Sequence, residues 1–204
     1  MRVIAGRLGG RGLKAPPGDA TRPTGARVKE ALFSILDDLR GMRVLDLYAG
    51  SGALGIEALS RGAAHALFVE AARPALSCLR DNLHKLSLES QTEVLPLRVE
   101  TARAKLVARG PFDLVLCDPP WRDVQSALAE LEALALAGAL AAGARVALEH
   151  SAKSPPSGQN PDTGQSRGLC AFDQRHWGDT GVTLFRLEPG PADVPGKPGS
   201  HPEA

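Results

Sequence analysis

Five short apolar runs punctuate the chain, each of strand length: residues 42–48 (MRVLDLY), 65–70 (HALFVE), 92–98 (TEVLPLR), 112–117 (FDLVLC) and 144–150 (ARVALEH). Between them the period changes from that of a strand to that of a helix. In ARVKEALFSILDDL, residues 26–39, Val28, Leu32, Ile35, Leu36 and Leu39 recur at helical spacing with charges on the other side. RPALSCLRDNLHKL (73–86) and VQSALAELEALAL (124–136) read the same way, and Pro74 suits a first helical turn. Strands alternating with amphipathic helices predict an α/β domain built on a mostly parallel sheet.

Other stretches depart from that alternation. LCAFDQRHW and GVTLFRLE flank the turn signal GDT and predict a terminal antiparallel hairpin. RVIAGRLGGRGLKAP, with Gly9, Gly10 and Gly12 between short runs, reads as a second small hairpin. Residues 151–168 and 189–204 are rich in Ser, Pro and Gly and are expected to be a polar loop insert and a disordered tail. The organisation expected is a basic N-terminal extension over 1–24, one domain over 25–188 that contains the insert, and the tail.

Length and composition fit that picture: 204 residues, 43% hydrophobic, suit one core. No apolar run of about eighteen residues could span a membrane, and the N-terminal apolar stretch is too short for a secretory signal, so a cytoplasmic protein is expected. Cys78, Cys117 and Cys170 are an odd, widely spaced set without CxxC, which indicates neither a disulfide framework nor a zinc site. The formal charge of +1 conceals an asymmetry. Residues 1–30 hold seven basic residues, Arg2, Arg7, Arg11, Lys14, Arg22, Arg27 and Lys29, against Asp19 and Glu30, while the remainder is net acidic. A phosphate-rich partner docking on the basic end is one reading of this excess, and a solvated basic surface is the other.

The first apolar run leads straight into DLYAGSGALG, where Gly50, Gly52 and Gly55 make GxGxxG before a helical stretch. Such glycines permit a tight turn and a close approach of ligand to a helix N-terminus. Glu70, about twenty residues on, is placed to accept from ribose hydroxyls. Asp46, four positions before Gly50, would repel a pyrophosphate and welcome a cation, which favours S-adenosylmethionine over a dinucleotide; bracing the loop is its alternative role. Glu100 either accepts from an adenine amino group or is an ordinary residue of a helix N-terminus. The fourth run ends in Asp118, Pro119, Pro120 and Trp121. The prolines stiffen the corner and donate no hydrogen bond, so Asp118 and the Pro119 carbonyl form an acceptor-only corner that suits an exocyclic amine. Trp121 offers a face on which a base could stack. A strand-ending turn with a core tryptophan is the plainer reading of those four residues.

RVIAGRLGGRGL, RPTGARVKEALFSIL, LDLYAGSGALGIEALSRGA, FVE and DPPW together resemble the class I S-adenosylmethionine-dependent methyltransferases that act on amino groups. More closely the chain is similar to the RsmD type, bacterial 16S rRNA guanine-N2 methyltransferases, with a weaker match reaching the final hairpin. The resemblance implies a Rossmann-like seven-stranded, mostly parallel sheet with helices on both faces and a small N-terminal β-hairpin that helps to hold RNA. It implies S-adenosyl-L-methionine bound by Asp46, Tyr48, Gly50, Ser51, Gly52, Gly55, Glu70 and Glu100, with Thr24 of the RPT motif closing over the site. Asp118 to Trp121 would hold the guanine, by this likeness guanine 966 in standard rRNA numbering. Arg2, Arg7, Arg11, Lys14, Arg22 and Arg27 would meet 16S rRNA or a small-subunit particle, with the protein a monomer and no metal involved. Alternatives within the class are adenine-N6 methylation of DNA and glutamine-N5 methylation of protein. Outside it stand an NAD-dependent dehydrogenase and a noncatalytic RNA-binding module.

Overall fold

The computed structural model describes residues 1–16, 25–156 and 168–188. Strands β1 (Arg43–Leu47), β2 (His65–Val69), β3 (Thr92–Leu95), β4 (Phe112–Cys117) and β5 (Leu140–Ser151) pair in parallel. With β6 (Leu169–Trp177) and β7 (Thr180–Leu187) they form one seven-stranded sheet in the order β3-β2-β1-β4-β5-β7-β6. β7 is antiparallel to both β5 and β6, so the predicted terminal hairpin is present, turning at Gly178 and Asp179. The five expected strands and three expected helices are all found, with α1 at Ala26–Leu36, α3 at Arg73–Lys85 and α5 at Val124–Leu136; α2 (Ala53–Ser60) follows the glycine loop and α4 (Val99–Val107) follows β3.

Alternation within each strand feeds two core layers. Val44, Leu114 and Ala147 pack with Leu32, Phe33, Leu36, Leu59 and Leu79 from α1, α2 and α3. Leu45, Leu47, Val115 and Val146 pack on the other face with Leu106, Leu128 and Leu131 from α4 and α5. Because both faces are covered, these strands read as nearly continuous apolar runs. Asp46 is the exception inside β1, and burial there follows from its place in the strand.

Two boundaries differ from the sequence pattern. β5 starts at Leu140 rather than at residue 144, because Leu140 pairs with Phe112 before a shift of register in the β4–β5 ladder. α1 stops at Leu36, where Asp37 takes φ 55°, although Leu39 beyond it is still fully buried.

The N-terminal hairpin is reduced to a single antiparallel bridge, Arg2 to Gly12. Backbone amides that a longer ladder would use go to side chains of α2 instead. Ile4 and Ala5 donate to the two oxygens of Glu57 at 2.7 and 3.0 Å, and Leu8 donates to Ser60 Oγ at 2.9 Å. Glu57 is fully buried and also meets Lys29 Nζ at 3.1 Å and Arg61 Nε at 2.9 Å. Gly6, at φ 79°, lies so close to α2 that an added Cβ would stand 1.9 Å from the Ser60 carbonyl oxygen. Val3 and Leu13 are buried in the first core layer, so the basic segment is pinned along the flank of the domain.

Candidate active site

The chain leaves β1 and travels outward through β2 and β3, then returns to lay β4 on the other side of β1. Strand order reverses there, and the crevice beyond the carboxyl ends of β1 and β4 is where ligands of open α/β sheets bind. The Tyr48–Gly55 turn lines one side. Tyr48, Gly50 and Gly52 have φ 58°, 57° and 80°. A positive φ is ordinary for glycine, but at a bulky residue such as Tyr48 it is strained at about 1–3 kcal/mol, a feature concentrated in ligand sites.

The surrounding structure fastens this turn from three directions. Gly55 N–H donates to Asp46 Oδ2 at 2.8 Å, Gly50 N–H donates to Glu70 Oε2 at 2.8 Å, and Asn82 Nδ2 donates to the Ser51 carbonyl at 3.0 Å. Gly55 also sits against β2, where an added Cβ would lie 2.4 Å from Phe68 Cε1 and 3.0 Å from Asp46 Oδ2. Gly55→Ala is therefore expected to destabilise the domain by about 1–3 kcal/mol. The check is a urea unfolding midpoint together with cofactor affinity by calorimetry, both of which should fall.

Three carboxyls share this crevice. Burial pushes the Asp46 carboxyl well up, the Gly55 amide opposes that rise, and Asp118 and Glu70 add to it. Glu70 is braced at its other oxygen by Ala72 N–H at 2.7 Å. A mutually repelling set of acids favours a cation, whose arrival lowers the energy of all three. Tyr48 adds a second sign of a ligand: its hydroxyl is buried without a partner among the described residues, and its acidity is suppressed by burial, then by Cys117 and Glu100. A buried hydroxyl normally has a partner. These residues fit S-adenosyl-L-methionine, which brings positive charge, ribose hydroxyls and polar adenine edges to one crevice.

On the β4 side, Asp118 N–H reaches the Leu47 carbonyl at 3.4 Å and so stays tied to the end of β1. Pro119 is buried, Pro120 is extended at ψ 136°, and a single 3-10 turn then carries Trp121 to the surface at 40% exposure. Asp123 N–H closes that turn on the Pro120 carbonyl at 2.7 Å. The tryptophan is thus no core residue, and it stands at the surface three residues beyond Asp118.

The structure brings Asp46, Tyr48, Gly50, Ser51, Gly52, Gly55, Glu70 and Asp118 to this rim, with exposed Glu100 near Tyr48. It disperses the basic set. Arg27 is exposed in the first turn of α1, whereas Lys14 pairs with Asp81 at 2.6 Å on α3. Arg7 bonds Gln91 beside the start of β3, at the sheet edge opposite the crevice. Arg2 and Arg11 are exposed on the pinned segment, while Arg22 and Thr24 fall outside the described residues. Sequence reasoning missed Asn82. It is buried in α3, accepts from Lys14 N–H at 2.8 Å and donates to Ser51, so it couples the basic segment to the glycine turn. The available signal was an amide on the apolar face of a helix.

Comparison with known proteins adds to this geometry. A family model described as Conserved hypothetical protein 95 matches residues 1–186. Ribosomal RNA small subunit methyltransferase D of Escherichia coli K12 is 40% identical over 124 residues, 60% of this chain and 61% of that protein, so the match spans less than two thirds of the relative's length. The solved structure of yhhF from Escherichia coli aligns with a TM-score of 0.74 at 33% identity, covering 92% of this chain and 98% of that one. An RNA methyltransferase from Salinibacter ruber, in complex with S-adenosyl-L-homocysteine, aligns with a TM-score of 0.60 at 14% identity over 86% and 97% of the chains, a likeness of fold.

Proposed function

The chain belongs to the Conserved hypothetical protein 95 family, that of the RsmD-type methyltransferases, and from this membership we propose that it methylates the N2 amino group of a guanine in 16S rRNA with S-adenosyl-L-methionine. It acts in the cytoplasm as a monomer. The observation that carries the reading is the acceptor-only corner at Asp118 and Pro119, placed where β1 and β4 adjoin and within the electrostatic reach of Asp46.

The cofactor supplies an electrophilic methyl group; the rest is done by the chain. Asp46 fixes the Gly50–Gly55 turn through the Gly55 amide; when the cofactor is bound, Glu70 would accept from its ribose, and Glu100 with the Tyr48 hydroxyl would hold its adenine. Asp118 and the Pro119 carbonyl take the two amino hydrogens. That grip would hold the nitrogen with its lone pair out of conjugation with the ring, and the carboxylate would offset positive charge developing on nitrogen. Asp118 can then accept the proton. Trp121 stacks on the base, which must be unpaired or flipped to reach the corner.

The test is to incubate the purified protein and labelled cofactor with rRNA from cells lacking the gene and to map the product. Label on a guanine N2 of 16S rRNA is the expected result; label in DNA or a peptide but not in rRNA sinks the proposal. Calorimetry separates the dehydrogenase reading, which requires tight NAD(H) binding and none of S-adenosyl-L-methionine.

A further inference from the structure

A cavity of about 850 Å³ lies away from the glycine turn, between α1 and the β6–β7 hairpin. Ala31 and Ser34 form part of one wall, Gln174, Arg175 and Trp177 part of the other, and His150 at the end of β5 lies between. The catalytic reading uses none of these residues. Cys117 is level with Leu148 in the β4–β5 ladder, so Asp118 stands beside Glu149, one residue before His150. Adjacent strands are about 4.8 Å apart, which sets this cavity next to the acceptor corner.

The chemistry lining it is that of a nucleotide site. The protein has two tryptophans, and both stand at this rim: Trp121 after β4 and Trp177 at the end of β6, with β5 and β7 between them. Trp177 packs one side on the first core layer and contributes to the cavity as well. Gln174, Arg175 and His176 are exposed beside it on the edge strand. Arg175 forms an ion pair with Asp173 through Nε at 3.0 Å, which holds its guanidinium on the hairpin. Arg27 is exposed one turn ahead of Ala31 on the same stripe of α1, so the α1 wall of the cavity leads to a cation one turn beyond it. An aromatic platform flanked by cations is how single-stranded nucleic acid is held.

We propose that this cavity holds the unpaired RNA nucleotide next to the target guanine, its base on Trp177 and its phosphates between Arg175 and Arg27. The inference rests on the rRNA reading above. On it, the β6–β7 hairpin is a substrate wall and Trp177 fixes which nucleotide enters the Asp118 corner.

The experiment compares wild type, Trp177→Ala and Arg175→Glu in steady-state methylation of naked rRNA, with cofactor affinity measured in parallel. Trp177→Ala should raise KM for RNA about tenfold, in keeping with a lost base stack, while kcat and cofactor affinity stay within about twofold. Arg175→Glu, an exposed change that does not touch the core, should raise KM in the same direction and carries the test should Trp177→Ala fail to fold. If wild type methylates rRNA and KM is unmoved in every folded variant, the cavity is not an RNA site. If wild type methylates naked rRNA and particles alike but KM rises only with partly assembled small-subunit particles, the occupant is a protein and the proposal is equally overturned. If wild type methylates neither naked rRNA nor small-subunit particles, the functional reading falls first and this inference with it.

Discussion

Asp118→Ala is expected to cut turnover on rRNA roughly a hundred- to a thousandfold, the usual loss when one positioned electrostatic contact to a developing charge is removed. Cofactor affinity should stay within about threefold. Asp118 belongs to the acid set that raises the Asp46 carboxyl, but the loop contacts run through Asp46, Glu70 and Asn82. Asp118→Asn keeps one acceptor oxygen and loses the charge, so it should fall between Asp and Ala, at about a tenfold loss. Single-turnover kinetics with saturating RNA separate the step. An Asn variant as slow as Ala would show that charge, not lone-pair acceptance, carries the role, and undiminished turnover in Ala would remove Asp118 from the mechanism.

That corner was legible in sequence because its chemistry is local. A strand of five buried residues among six runs into two prolines, and proline restricts itself and its predecessor whatever the tertiary context. The glycine turn was legible for the same reason: its positive φ values demand glycine at two of three positions. Tyr48 breaks that rule, and its strain and its orphan hydroxyl become visible only once the turn is built. The N-terminal segment shows the opposite limit. Its glycines predict a hairpin, yet the amides of Ile4, Ala5 and Leu8 find acceptors some fifty positions away on α2, an alternative that no local pattern encodes. Glu57 and Asn82 escaped because periodicity sorts residues into core and surface, and both are polar groups on core faces. In α2 every residue from Leu54 to Ser60 is buried, so there is no polar face against which an acid would stand out. Trp121 was ambiguous between core and surface until the 3-10 turn after Pro120 settled it.

Glu57→Ala is the substitution expected to cost most in stability, about 3–5 kcal/mol, the range for removing one partner of a buried ion pair. Against a typical domain stability of about 5–15 kcal/mol, this is a large share. Lys29 is 4% exposed at its side chain and Glu57 0%, so the mutation leaves an ammonium and the amides of Ile4 and Ala5 facing a void. Burial alone would lift the Glu57 carboxyl, but the Ile4 amide, Arg61, Lys29 and the Ala5 amide together hold it below its ordinary value of 4.5. Lys29 is pulled down because burial outweighs its pairing with Glu57, even with its bond to the Arg2 carbonyl at 2.8 Å. The carboxylate is thus the better compensated member of the pair. The pH dependence follows from its depressed value: the stability from ionised Glu57 is fully present above about 4.5 and is lost as pH falls through the lower folded value. Urea midpoints taken from neutral pH downward should therefore converge between wild type and Glu57→Ala in acid. Hydrogen exchange at Ile4 and Ala5 should accelerate in the mutant more than exchange in β1, because the basic segment loses its anchor while the sheet keeps its own. Lys29→Met added to Glu57→Ala should recover part of the loss by removing the stranded charge. An unfolding free energy for Glu57→Ala within about 1 kcal/mol of wild type would mean that the segment is not held by this pair at all.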